Sequence, residues 1–124
     1  MNILIVDDSA ATRQAIAEVV RRLPDAEVAE AGDGVAALKA LKAASYQLVF
    51  LDINMPVMDG LKLLGVIAKD PTCAKTRVAV FTSADHPMMK AQARGLGARY
   101  FLTKPVEAKE VERVLSEVFP GTAR

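Results

Sequence analysis

The stretch LVFLDINMP, residues 48–56, indicates the fold of this chain. Four apolar residues lead into one carboxylate, Asp52, and Pro56 four residues later prevents a regular element from continuing. A short, continuous apolar run with β-branched and aromatic members is typical of a strand buried on both faces, as in a parallel sheet covered by helices. Such a strand places Asp52 at its carboxyl end, which is the edge where open α/β sheets bind ligands.

Length and composition predict one globular domain. The chain has 124 residues, of which 52% are hydrophobic and 25% charged, and we assign residues 1–119 to the domain and 120–124 to a tail or the start of a linker. No apolar run approaches the roughly 18 residues of a membrane span, and the first residues lack the features of a signal peptide. We therefore expect a cytoplasmic protein with no membrane partner. The net charge of +1 argues against a nucleic-acid partner.

Two hydrophobic periods alternate along the chain. Strands are predicted at residues 2–6, 27–31, 48–52, 77–81 and 99–102, with short apolar runs at residues 3–6 and 48–51. Apolar residues at helical spacing predict five helices, with stripes such as Ile16-Val19-Val20-Leu23 and Val35-Leu38-Leu41. Pro24 is expected to end the first helix. The alternation predicts an α/β fold, a doubly wound five-stranded parallel sheet in the order 2-1-3-4-5 between two layers of helices.

Polar residues follow four of the predicted strands at one edge of the sheet. They are Asp7 and Asp8 after the first strand, Asp52 and Asn54 at the third, Thr82 and Ser83 after the fourth, and Lys104 after the fifth. Because neighbouring strands lie about 4.8 Å apart, these residues are expected to converge on one small patch. Three crowded carboxylates repel one another, and a bound cation would neutralise them. Oxygen ligands in a shallow site favour Mg²⁺ over Ca²⁺.

The same patch is suited to an anion next to Asp52. Lys104 adds a positive charge and Thr82 adds a hydroxyl donor. Since an aspartate carboxylate acts as a nucleophile towards phosphorus in some enzymes, we expect the anion to be a phosphoryl group on Asp52. Mg²⁺ and Lys104 would spread the charge of a loose, in-line transition state.

Several motifs in one order resemble the receiver domain of two-component response regulators, across essentially the whole chain. They are IVDDS at 5–9, AGDG at 31–34, LDINMPVMDG at 51–60, TSA at 82–84 and KP at 104–105. The resemblance implies a flavodoxin-like (βα)5 fold of the CheY type and a phosphoprotein of phosphorelay signal transduction. It further implies that Asp52 is the phosphoacceptor.

The resemblance also implies a metal site. Asp8, Asp52 and the backbone carbonyl of Asn54 would be Mg²⁺ ligands, with Mn²⁺ as a substitute ion. Asp7 would hold metal-bound water or orient the site.

A conformational switch is implied as well. Thr82 and Lys104 would contact the phosphoryl oxygens, and the Lys104–Pro105 peptide bond would be cis. Thr82, Ser83 and Phe101 would form a switch that alters the face made by the fourth helix, fifth strand and fifth helix. From the sequence alone Phe101 could instead be plain core, because Tyr100 could take the outer position.

The implied partners are proteins. A sensor histidine kinase or a histidine phosphotransfer domain would dock over the first helix, and a downstream protein or a covalently linked output domain would read the result. Candidate docking contacts are Ala10, Ala11, Thr12, Gln14 and Ala15. The domain would be no enzyme in the usual sense, since it would catalyse only its own phosphorylation and dephosphorylation.

Two other functions fit part of the pattern. Haloacid-dehalogenase-like phosphohydrolases also use a strand-end aspartate, Mg²⁺, Thr or Ser, and Lys. Against this alternative, Asn54 stands where their D-x-D motif has its second acid, and the aspartate here follows the third strand. The other alternative is a receiver-like binding module that works without phosphorylation.

Overall fold

The computed structural model of the protein describes residues 1–54, 60–82 and 87–121. The strands are β1 (Asn2–Val6), β2 (Glu27–Ala31), β3 (Leu48–Asp52), β4 (Arg77–Thr82) and β5 (Tyr100–Thr103). The helices are α1 (Ala10–Val20), α2 (Gly34–Ala43), α3 (Gly60–Lys69), α4 (Pro87–Gly95) and α5 (Ala108–Val118), with a 3₁₀ turn at Pro71–Cys73. The described strands form one parallel sheet in the order β2-β1-β3-β4-β5, which confirms the predicted fold class and strand order.

The sheet divides the interior into two hydrophobic cores. Along β1, Ile3 and Ile5 lie in the core under α1 and α5, whereas Leu4 and Val6 lie in the core under α2, α3 and α4. Successive side chains of a strand point to opposite faces, so a strand covered on both sides must be apolar at every position. The strand β3 meets this requirement, since all of its residues are buried.

Helix α1 begins at its expected cap but ends earlier than the apolar stripe predicts. The Ser9 side chain accepts a hydrogen bond of 3.2 Å from the Thr12 amide at its start. The helix stops at Val20, not at Leu23. The Leu23 amide donates to the Val20 carbonyl at 3.0 Å, so the chain tightens into a turn before Pro24. Leu23 is nevertheless buried, because this turn keeps it against the core.

The predicted apolar stripe of α2 is wrong at Val35, which is 50% exposed. The Asp33 side chain caps the start of the helix by accepting a hydrogen bond of 2.8 Å from the Ala36 amide. Its buried residues are Gly34 and Ala37, and Leu41 packs against the same core. Val35 lies about 100° further around the helix than Gly34 and faces solvent.

None of the helices within the described ranges is long and apolar enough to cross a membrane.

Candidate functional site

Strand register brings the predicted site residues to one level of the sheet. Val6 pairs with Leu51, so Asp7 follows β1 at the height of Asp52. On the other side of β3, β4 pairs with β5 through Thr82 and Thr103, and the next residue is Lys104. The Lys104 amide also donates to the Thr82 carbonyl at 3.0 Å. Residues far apart in sequence therefore meet at the carboxyl edge, as the strand order predicts.

Two carboxylates and one ammonium form the centre of the site. The Lys104 Nζ lies 3.0 Å from Asp52 Oδ2 and 3.2 Å from Asp7 Oδ2. Both carboxylates are almost fully buried, whereas the Lys104 side chain is 31% exposed. One ammonium compensates only one of the two negative charges, so the site keeps an excess negative charge beneath the surface.

Each buried carboxylate is oriented by a backbone amide two residues further on. Asp7 Oδ1 accepts a hydrogen bond of 2.8 Å from the Ser9 amide, and Asp52 Oδ1 accepts one of 2.9 Å from the Asn54 amide. These local turns fix one oxygen of each carboxylate and leave the other directed at Lys104. The geometry holds both side chains in place without using all of their acceptor capacity.

The acidic residues fit a divalent cation. Carboxylate oxygens of Asp7, Asp8 and Asp52 lie within 4.8 Å of one another, and Asp8 is exposed to solvent. Asp7 Oδ2 is buried and lies 3.2 Å from the Lys104 ammonium, but it accepts no well-formed hydrogen bond within the described residues. A buried acceptor without a donor is costly and is satisfied by a cation or its bound water. The all-oxygen set matches the expected preference for Mg²⁺.

Burial and mutual charge shift two pKa values at this site. Burial raises the pKa of Asp7 above its ordinary value of 3.8, the Ser9 amide counteracts this, and the negative charge of Asp52 raises it further. Burial alone would lower the pKa of Lys104, but its hydrogen bond to Asp52 and the charges of both carboxylates raise it above 10.5. Lys104 therefore stays charged at neutral pH, and the ionised form of Asp7 opposes folding there.

Replacing Asp7 with asparagine is therefore expected to stabilise the metal-free protein while weakening Mg²⁺ binding. A raised carboxyl pKa reduces stability as the pH rises above 3.8, so the variant should gain about 1 kcal/mol at neutral pH. The gain should vanish as the pH falls towards 3.8 and wild-type Asp7 takes up its proton. Urea unfolding in EDTA across this pH range and calorimetric Mg²⁺ titration measure the two effects.

The exposed Asp25 provides the matched control for this prediction. Asp25→Asn should leave both the neutral-pH stability and the Mg²⁺ affinity close to wild type. An Asp7→Asn protein that is less stable than wild type in EDTA at neutral pH would contradict the prediction.

The residues of the expected switch lie beside this centre. Thr82 is fully buried at the end of β4, and Phe101 is partly buried in the core on the α4 side, with the Arg94 guanidinium 5.0 Å from its ring centroid. Tyr100 packs in the opposite core. The Lys104–Pro105 peptide bond is cis. Ser83 lies outside the described residues.

Two residues that contact the backbone of the site were missed by the sequence analysis. A Cβ atom on Gly60 would collide with the Asp52 carbonyl oxygen and the Ile53 Cα, so α3 packs directly against the end of β3. Arg13 donates a hydrogen bond to the Asp7 carbonyl. For Gly60 a signal existed, since a glycine closes the motif after Asp52. For Arg13 there was none, because its contacts depend on how α1 lies against β2.

Fold and site together define a response-regulator receiver. The chain belongs to the response regulator receiver domain family, which matches residues 3–116. It is 35% identical over 118 residues to the chemotaxis protein CheY of Listeria monocytogenes, a match that covers 94% of this chain and 97% of that protein.

Similar solved structures have the same fold. The chemotaxis response regulator CheY4 of Vibrio cholerae superimposes with a TM-score of 0.86 at 28% identity, covering 95% of this chain and 98% of that one. The Mn²⁺-bound form of response regulator Rcp1 gives a TM-score of 0.84 at 26% identity, covering 99% and 98%. These findings confirm the predicted family and the CheY-like fold, and they place the chain in two-component signalling. They do not favour the phosphohydrolase alternative.

Proposed function

We propose that this domain receives a phosphoryl group on Asp52 from a histidine kinase or a histidine phosphotransfer protein. The observation that carries the proposal is the position of Lys104, whose ammonium lies within 3.2 Å of carboxylate oxygens of both Asp52 and Asp7. This arrangement puts a nucleophilic carboxylate, a positive charge and further acidic groups at one accessible edge.

In the proposed step an Asp52 oxygen forms a bond to phosphorus as the bond between phosphorus and the donor's imidazole nitrogen breaks. The electron pair of that bond stays on the imidazole, which takes a proton from solvent. Lys104, already next to Asp52, would balance charge on the transferred oxygens in a loose, in-line transition state. The Asn54 amide keeps Asp52 oriented through its 2.9 Å hydrogen bond.

The proposed cofactor is Mg²⁺, with Mn²⁺ as a substitute. Asp8, Asp52 and the Asn54 carbonyl are the proposed ligands, and Asp7 would hold metal-bound water. When bound, the ion would supply positive charge to the phosphoryl oxygens and bring Asp52 and the donor together. The carboxylate cluster and the unsatisfied Asp7 oxygen support this assignment, as does a similar regulator whose structure is a Mn²⁺-bound form.

The proposed input surface is the start of α1. The candidate contacts are Ala10, Ala11, Gln14 and Ala15, which are exposed, and the half-buried Thr12. Small residues beside Asp8 would let a kinase or phosphotransfer helix approach closely. We place this exchange in the cytoplasm, with residues 1–119 as the functional unit and 120–124 as a tail or linker. On this proposal the domain acts only on itself and turns over no other substrate.

The proposed output is a shift between two conformations. A phosphoryl group adds about two negative charges and three acceptor oxygens at the end of β3, which would attract the Thr82 hydroxyl. Phe101 would then move inward and change the face formed by α4, β5 and α5, with Ser83 as a further switch residue. A downstream protein or a linked output domain would read that face. A few kcal/mol of differential contact is enough to shift such an equilibrium.

The test is treatment with acetyl phosphate or phosphoramidate, with and without Mg²⁺, read by intact mass. Wild type should gain the mass of one phosphoryl group in a Mg²⁺-dependent manner, and Asp52→Asn should gain none. Uptake by the Asp52→Asn variant equal to that of wild type would refute the assignment. Thr82→Ala should take up the phosphoryl group in the same assay. NMR spectra of that variant should lack the chemical-shift changes in β5 that accompany uptake in wild type.

The same samples distinguish the alternatives. Release of phosphate from monoesters over many turnovers would support the phosphohydrolase reading. A protein that takes up no phosphoryl group under any of these conditions would support the binding module that works without phosphorylation.

A further inference from the structure

We propose that Arg13 is a positioning residue for the metal site, because it fixes the peptide that joins Asp7 to Asp8. Its Nη1 donates a hydrogen bond of 2.7 Å to the Asp7 carbonyl oxygen. That carbonyl belongs to the Asp7–Asp8 peptide bond. Its orientation therefore fixes the backbone from which both carboxylate side chains extend. The inference rests on the proposed function, since it concerns binding of Mg²⁺ to that site.

The guanidinium is itself held by β2. Arg13 Nε donates to Glu30 Oε1 at 3.0 Å, so one planar group bridges an acidic strand residue and the Asp7 carbonyl. The Arg13 side chain is 20% exposed, so water screens these contacts only in part. The guanidinium also lies against Gly32, where an added Cβ would be 3.4 Å from Arg13 Nη1, an ordinary van der Waals distance. Two donors in fixed relative positions suit this bridge better than the single nitrogen of lysine.

With this contact the Asp7 residue is held at three of its polar groups. The Asp7 amide donates to the Ala31 carbonyl at 3.1 Å, and Oδ1 accepts from the Ser9 amide. Arg13 donates to the Asp7 carbonyl oxygen. The remaining polar atom, Oδ2, is the buried one without a hydrogen bond, and it faces the site. Arg13 thus completes an anchor in which Oδ2, 3.2 Å from the Lys104 ammonium, is the Asp7 oxygen directed at the cation or its water.

Positioning and charge predict opposite effects on metal binding. Arg13 is positive, so removing its charge near an acidic cluster should strengthen Mg²⁺ binding if electrostatics alone matters. If Arg13 acts by fixing the Asp7–Asp8 peptide, its removal should weaken binding by about tenfold, as for other groups that orient metal ligands.

The experiment is calorimetric titration of Mg²⁺ into wild type, Arg13→Ala, Arg13→Lys and Arg21→Ala. Arg21 is the matched control, because it directly follows the same helix and approaches Glu30 at 4.0 Å but is 56% exposed. We expect Arg13→Ala to bind Mg²⁺ about tenfold more weakly. Arg13→Lys should fall between it and wild type, and Arg21→Ala should match wild type. Phosphoryl uptake from acetyl phosphate should recover in Arg13→Ala at saturating Mg²⁺.

A purely structural role would lower the melting temperature without changing the Mg²⁺ affinity of the folded protein. Arg13→Ala with the affinity of Arg21→Ala, or a higher one, would overturn the inference. If Arg13→Ala does not fold, the Mg²⁺ affinities of Arg13→Lys and Glu30→Gln test the inference instead. Affinities equal to that of wild type in both variants would overturn it. Wild type that neither binds Mg²⁺ nor takes up phosphate would instead refute the proposed function.

Discussion

Lys104→Met is expected to destabilise the metal-free protein by about 2 kcal/mol and to slow phosphoryl uptake by about a hundredfold or more. The substitution leaves Asp7 and Asp52 buried side by side without the ammonium that lies within 3.2 Å of both. The loss of stability is smaller than for a fully buried pair, because Lys104 is 31% exposed and water screens its charge. Mg²⁺ should recover much of the lost stability, since it supplies positive charge at the same carboxylates, but not the uptake rate.

The pH dependence of the stability difference between wild type and Lys104→Met follows from the raised pKa values of Lys104 and Asp7. In wild type the contribution of Lys104 is fully present below pH 10.5 and is lost as the pH rises through its raised pKa. In the variant, uptake of a proton by Asp7 relieves the repulsion, so the difference from wild type should shrink as the pH falls towards 3.8. Urea unfolding in EDTA and in Mg²⁺ measures the effect, with the exposed Lys109→Met on α5 as control. A variant as stable as wild type in EDTA at neutral pH would refute the argument.

Gly60→Ala is expected to destabilise the protein by about 2–3 kcal/mol and to disturb the site. The new methyl group would overlap the backbone of Asp52 and Ile53, which has no side-chain freedom with which to move aside. Either α3 shifts outward or the end of β3 moves, and the second response displaces the Asp52 carboxylate. We therefore expect weaker Mg²⁺ binding and slower phosphoryl uptake in addition to the loss of stability.

Gly65 offers a control on the same helix. A Cβ at Gly65 meets nothing within 4 Å, so Gly65→Ala should stabilise the protein by about 0.5–1 kcal/mol through helix propensity. Urea midpoints, Mg²⁺ titration and intact mass after acetyl phosphate treatment compare the two variants. Equal stability of Gly60→Ala and Gly65→Ala would contradict the prediction, because it would mean that the backbone at the end of β3 moves aside without loss of stability.

The sequence predicted the features that depend on local pattern and on the rules of parallel sheets. Continuous apolar runs located β1, β3 and β4 to within about one residue, because strands in the middle of the sheet are buried on both faces and have few polar positions. The meeting of Asp7, Asp52 and Lys104 followed from strand order, since all three come at or just after strand ends.

Features that depend on packing between distant segments were not predicted. Val35 was assigned to the core because periodicity gives the spacing of a helical stripe but not which residues face the core, and in α2 Ala37, Leu38 and Leu41 pack there. The contacts of Arg13 depend on Glu30 of β2 lying within hydrogen-bond distance. The crowding at Gly60 depends on α3 packing against the end of β3. Pattern along a single segment carries no information about such contacts.

The division of the interior by the sheet has a consequence for how such a domain diversifies. Ile16, Val19 and Val20 of α1 pack in one core, and Phe101 packs against the other. The helix that we propose to meet the kinase and the ring that we propose to signal the result are thus insulated from each other by a layer of backbone. The free-energy effects of substitutions on α1 should therefore add to those of substitutions around Phe101. The choice of kinase can then change during evolution without altering the conformational equilibrium that Phe101 reports.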